Sequence, residues 1–139
     1  MIAQIALGSL AIIVTILFHV WLFRMLSRLI DHLYAPALGH YGHGGMSALL
    51  MLGVLGVLFG ISADIWFWAL LLKALGALPD LEQAVYFSLV SFSTLGYGDI
   101  LLAQEWRILG AMVAADGLLI FGWSIAWLTE VIRKLRGGP

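Results

Sequence analysis

Ser93-Thr94-Leu95-Gly96-Tyr97-Gly98-Asp99 gathers residue types that could do chemistry: two aliphatic hydroxyls, a phenol, an acid and two alternating glycines. In isolation the string reads as a turn, because Gly and Asp both favour turns. Asp64 and Asp116 are candidates of another kind. Each interrupts an apolar run, where an ionisable group is costly and marks ion or proton chemistry. Counting at ~1.5 Å per residue sets both acids at similar depth, with His19 within about one turn of them. Asp64 and His19 are therefore proton-sensing candidates, since burial perturbs such groups. His40 and His43 lie in a Gly-rich stretch. Two His are not a metal site without further ligands, but they could sense protons.

Composition says which solvent positions these residues. Hydrophobic residues make up 63% of 139, charged residues 11%, and the mean hydropathy is +1.04. A soluble domain is roughly 45–50% apolar and ~25% charged. A water-soluble fold of this length could not hide so much apolar surface, so a lipid bilayer is the expected partner. The net charge of −1 leaves no footprint for nucleic acid. The absence of Cys excludes disulfides, thiolate metal sites and Cys nucleophiles.

Three apolar runs are long enough to span. Residues 1–30 form the first, with no basic n-region or small-residue cleavage site, so a retained span is expected. Pro36 and four glycines predict a loop over 31–45. Residues 46–78 form the second run and 104–136 the third. Between them, 80–93 is apolar and aromatic but too short to cross, which fits a re-entrant helix. Asp80 and Gln83 predict a capping box at its start. A half-membrane helix followed by irregular backbone needs protein or a water-filled path around it, which suggests a pore.

At 94–99 the sequence resembles the potassium-channel pore family, whose filter reads T-[VI]-G-[YF]-G-[DN]; such a loop from each of four subunits is a standard example of ion selectivity. The resemblance covers about Leu50 to Arg133, and 46–136 would be the pore domain. It implies an all-α membrane protein: three transmembrane helices, a re-entrant pore helix and a selectivity-filter loop. One filter per chain implies a homotetramer. Carbonyls of Thr94, Leu95, Gly96 and Tyr97, with the Thr94 hydroxyl, would replace the water around potassium. Gly96 and Gly98 permit the backbone this needs. Potassium would bind at the filter backbone only, as permeant ion, with no cofactor. Tyr97 would brace the loop, supported by Ser93, Asp99, Tyr86 and Val90. Tyr86 and Phe87 stand where relatives often carry a Trp pair, and Val90 where some carry a Glu that pairs with the filter Asp. Leu95 replaces the usual Val or Ile.

The third run continues the resemblance. Gly117 would be the hinge of an inner helix, or a packing glycine. The match turns Leu118, Phe121, Ile125 and Thr129 toward the conduction path. Asp116, two residues before Leu118, is then about 160° away around the helix. It would face the pore helix or outer helix, with cavity lining as the alternative. Gly56 and Gly60 form a GxxxG where another helix can approach. Five of the six Trp, at 66, 68, 106, 123 and 127, fit interfacial or packing roles.

Arg24 and Arg28 end the first run, and Arg133, Lys134 and Arg136 the third. The positive-inside rule puts these ends in the cytoplasm. The expectation is a multi-pass cell-membrane protein with its N-terminus outside and C-terminus inside. Two alternatives share the residues. One is a weakly selective cation channel of the same fold. The other is an intramembrane aspartyl protease, since Gly96-Tyr97-Gly98-Asp99 also fits G-x-G-D; it needs a second Asp facing Asp99. The preferred reading is a channel, not an enzyme.

Overall fold

The computed structural model describes residues 1–41 and 43–137, with side chains outside 36–43. Among these residues the protein is all helical: α1 (Ile2–Tyr41), α2 (His43–Ala74), α3 (Leu81–Phe92) and α4 (Arg107–Gly137). Three helices carry segments long and apolar enough to cross a membrane: Ile2–Ala35, Gly44–Ala74 and Arg107–Arg136. α3, at 12 residues, does not. Large apolar side chains such as Leu10, Leu17, Met51, Leu55 and Phe59 stay exposed, as expected of helices whose solvent on one side is lipid.

α1 runs antiparallel to α2. Leu26 meets Gly56, and Leu22 and His19 meet Gly60, so the GxxxG of α2 is where α1 comes close. α1 also lies along α4 in the same direction. Gly8 sits on Met112, Trp127 donates to Ser27 Oγ at 3.0 Å, and Asp31 pairs with Lys134. Phe23 stacks on Trp127 at 4.9 Å and meets Trp123 edge-on at 5.4 Å. The first span is thus wedged against both other spans.

The expected loop over 31–45 is helical through Tyr41 and again from His43. Ile30 and Tyr34 pack on Leu49, Val131 and Leu135. This packing prolongs α1 past the local turn signals, as tertiary contacts commonly do. The side chains of His40 and His43 lie outside the described residues.

α2 ends at Ala74 rather than 78, and the reason is local. Gly76 takes φ +72°, and the bonds Gly76 N–H to Lys73 O and Ala77 N–H to Leu72 O close a Schellman cap. Asp80 occupies the N-cap of α3 with extended backbone but makes no side-chain cap bond. Its carboxylate instead receives Gln83 Nε2 at 3.5 Å, so the expected capping box does not form. α4 starts at Arg107 after a turn in which Trp106 N–H bonds Ala103 O.

Candidate functional site

The end of α3 builds the segment that follows it. Thr94 N–H bonds Ser91 O at 2.9 Å and Leu95 N–H bonds Val90 O at 3.0 Å. These are the two bonds of a Schellman cap, with Thr94 at the left-handed position where Gly is usual. Thr94 has φ +59°, and it alone among the described non-glycine residues is positive. A β-branched residue there is strained by about 1–3 kcal/mol and persists only where something else over-determines it. Gly96 N–H also bonds Val90 O, at 3.1 Å. Val90 therefore supports the segment through its carbonyl, while its side chain is buried. Ser93 Oγ donates to the same carbonyl at 3.3 Å.

The left-handed φ recurs every second residue: +59° at Thr94, +55° at Gly96 and +76° at Gly98, with Leu95 and Tyr97 negative. Backbone that alternates between the two hands can turn successive carbonyls toward one side, where a β-strand alternates them. Gly supplies the conformation at two of the three sites. Residues 93–99 are all exposed in the single chain. Tyr97 is 67% exposed and Leu95 55%.

Asp99 closes the segment. Tyr86 Oη donates to Asp99 Oδ2 at 2.6 Å, and Ile100 N–H donates to Oδ1 at 3.1 Å. Tyr86 lies one helical turn before Val90, on the same face. The partner that Val90 cannot supply thus comes from the preceding turn. The Tyr86 bond holds the Asp99 carboxyl below the usual carboxylate range. A lowered native pKa gives stability that is present at neutral pH and lost as pH falls through that pKa. Tyr86→Phe is expected to lower the melting temperature at neutral pH. The gap to the parent should close on acidification; a gap independent of pH would exclude this role for the bond.

Gly117 touches the foot of the segment from α4. A Cβ there would lie 1.8 Å from Phe92 O and 2.6 Å from Phe92 C. Gly117 is therefore a close-packing glycine against the backbone that ends α3. Beyond it, Leu118, Gly122, Ile125 and Thr129 form an exposed stripe along α4, with Leu118 and Ile125 about two-thirds exposed at 66% and 65%. Phe121 is only half-buried beside that stripe and packs on Phe92 at 5.8 Å between ring centroids.

Asp116 does not line that stripe, nor does it turn to Ser93. It is fully buried between α1 and α2. Thr15 Oγ1 lies 2.9 Å from Oδ1 and 3.0 Å from Oδ2, and Trp68 Nε1 donates to Oδ2 at 2.7 Å. One turn away, His19 Nδ1 is 3.3 Å from Asp64 Oδ2 and 3.2 Å from Thr15 O. The structure thus gathers Asp116, Asp64 and His19 and adds Thr15 and Trp68, the latter expected only in an interfacial or packing role. Trp68 had a signal, four residues after Asp64 on the same helical face. Thr15 had none beyond being a hydroxyl in an apolar run. Asp99, meanwhile, has a tyrosine partner where a G-x-G-D protease needs a second carboxylate.

Comparison with known families gives a match to an ion channel family model over residues 48–134. No curated protein and no solved structure matches the chain. The matched stretch takes in most of α2, all of α3, the alternating segment and most of α4. It is more than half of the 139 residues, and it leaves out α1. A short helix between two spans, ended by backbone of alternating hand, is thus an ion channel pore domain, and the chain belongs to the ion channel family.

Proposed function

We propose that the chain is one protomer of a homotetrameric, potassium-selective channel, with Thr94–Gly98 of four copies forming the filter. The observation that carries this reading is the alternating backbone hand at 94, 96 and 98. It gives each chain a row of carbonyl oxygens able to replace an ion's hydration shell. One chain offers one such row, so several must converge to surround an ion. The exposure of Leu95, Tyr97, Leu101 and Leu118 supports this, since those apolar groups face the space that further copies would fill. The α3 C-terminus points its partial negative charge at the same region, favouring a cation there. In this assembly α3 is the pore helix and α4 the inner helix, with Leu118, Ile125 and Thr129 toward the path. The Asp31–Lys134 pair puts the basic ends of α1 and α4 on one face, which the positive-inside rule makes cytoplasmic.

The test is flux in liposomes containing purified protein, with potassium compared against sodium, beside the mass of the detergent-solubilised particle. Potassium flux well above sodium flux from a particle of four chains is expected. Equal flux of the two ions would demote the protein to a weakly selective cation channel. A monomer or dimer that conducts selectively would overturn the four-fold filter.

A further inference from the structure

The cluster between α1, α2 and α4 has more acceptors than protons to place on them. Thr15 Oγ1 is 2.8 Å from Ile12 O as well as within 3.0 Å of both Asp116 oxygens. A hydroxyl has one hydrogen to donate. If Asp116 is ionised, that hydrogen must leave Ile12 O for the carboxylate. The anion then holds two donors, Thr15 and Trp68, and no cation. Asp64, a second buried acid whose Oδ2 has His19 Nδ1 3.3 Å away but no well-formed hydrogen bond, stands one turn from Trp68. Two such anions in one buried site would repel strongly and forgo their hydration. His19 is the other titratable group here. Its Nε2 faces Gly60 without a hydrogen-bond partner, so a second ring N–H would be left without an acceptor. α3 meets Asp116's neighbour Gly117 through the Phe92 backbone and brings no charged group into this contact. No Lys or Arg is paired with either acid among the described residues.

If Asp116 is instead a carboxylic acid, every contact resolves. Its O–H donates to Thr15 Oγ1, Thr15 donates to Ile12 O, and Trp68 N–H donates to Oδ2. No donor or acceptor in that chain is left over.

We propose that Asp116 is a neutral, hydrogen-donating acid that latches α1 onto the inner helix, making Thr15 and Asp116 positioning residues for the filter. The mechanical route is short. Asp116 is followed by Gly117, which rests on Phe92 O, and Phe92 is two residues from the strained Thr94. Proton loss would turn the Thr15 hydrogen from Ile12 O to the carboxylate, leave an anion without a cation in the buried site and strain the α1–α4 contact beside the filter foot. α1, which lies outside the matched family region, would thereby become part of the gating apparatus. This positioning role rests on the conduction reading; the latch itself does not.

The test pairs a spectroscopic readout with a functional one on the full-length protein in liposomes. Infrared spectra of the parent should contain the C=O stretch of a protonated carboxylic acid in an apolar site. Asp116→Asn should remove that band, and Thr15→Val should shift it. Asn mimics the neutral acid, donating through its amide NH2 and accepting through its C=O. Asp116→Asn should therefore keep the parent's melting temperature at neutral pH. Thr15→Val should lower it by roughly 4 °C, for a lost buried hydrogen bond in a domain of this size. Potassium flux in the parent should change as pH rises, and in Asp116→Asn it should stay flat. A parent spectrum without the band, or a band untouched by Asp116→Asn, overturns the latch. If the band behaves as stated while parent liposomes carry no potassium, the latch stands and the conduction reading falls.

Discussion

Gly117→Ala is expected to abolish potassium flux and to deplete the proposed tetramer. The added Cβ would sit 1.8 Å from Phe92 O and under 3 Å from Phe92 C and Cα. The clashing atoms are backbone at the end of α3, fixed by the Schellman bonds of Thr94 and Leu95, so no side chain can rotate away. Either α4 or the filter foot must move by about the width of a methyl group. Overpacking of this kind costs typically 1–3 kcal/mol or more, and in the proposed tetramer each of the four copies would bear it. Gly122→Ala is the control, on the exposed face of the same helix, with nothing within 4 Å of its Cβ. It should assemble like the parent. Size-exclusion profiles and liposome flux of the two variants check this. A Gly117→Ala protein with parental assembly and flux would show that Phe92 and Gly117 do not pack as described.

Glycine 117 also shows what a sequence can and cannot display. Its place in the third apolar run is legible, and so are both of its readings, hinge and packing glycine. The packing contact itself is set by the distance to a carbonyl 25 residues earlier in the chain. The spans and the short α3 are legible for a simpler reason: a bilayer constrains length and polarity residue by residue. Helix ends follow local rules, and Gly76 and Pro79 explain why α2 stops early. Asp80 and Asp31 show the opposite case. Asp80 has the right residue type for a cap and bonds Gln83 instead, and the stretch after Asp31 has loop composition yet continues α1 because it is packed from the side. The Thr15–Asp116 bond joins residues 101 apart. Depth counting brings Asp64, Asp116 and His19 to one level, but the angular facing that admits Thr15 and Trp68 depends on how α1 wedges between its neighbours.

Alanine at Gly98 is expected to stop potassium flux while leaving the protomer folded. At φ +76° a Cβ meets no heavy atom within 4 Å, so crowding is not the obstacle. The obstacle is conformational: an L-residue with a side chain held left-handed costs of order 1–2 kcal/mol. The loop can escape that cost by turning φ negative, which breaks the alternation and swings one carbonyl off the axis. Gly96→Ala at φ +55° should do the same one level deeper. Thr94 supplies the reciprocal experiment, because its strain is already present at φ +59°. Thr94→Gly should relieve it and raise thermal stability by about 1 kcal/mol, yet it deletes the hydroxyl ring and should weaken discrimination against sodium. Thr94→Ala keeps the strain and loses the hydroxyl, so it should lose selectivity without gaining stability. Holding a β-branched residue in the left-handed region costs stability, and in the proposed filter ion coordination by the Thr94 hydroxyl would offset that cost. Melting curves and paired potassium and sodium flux on these variants separate the two effects. Unchanged potassium flux in Gly98→Ala, or a Thr94→Gly protein as selective as the parent, would remove residues 94–98 from the conduction path.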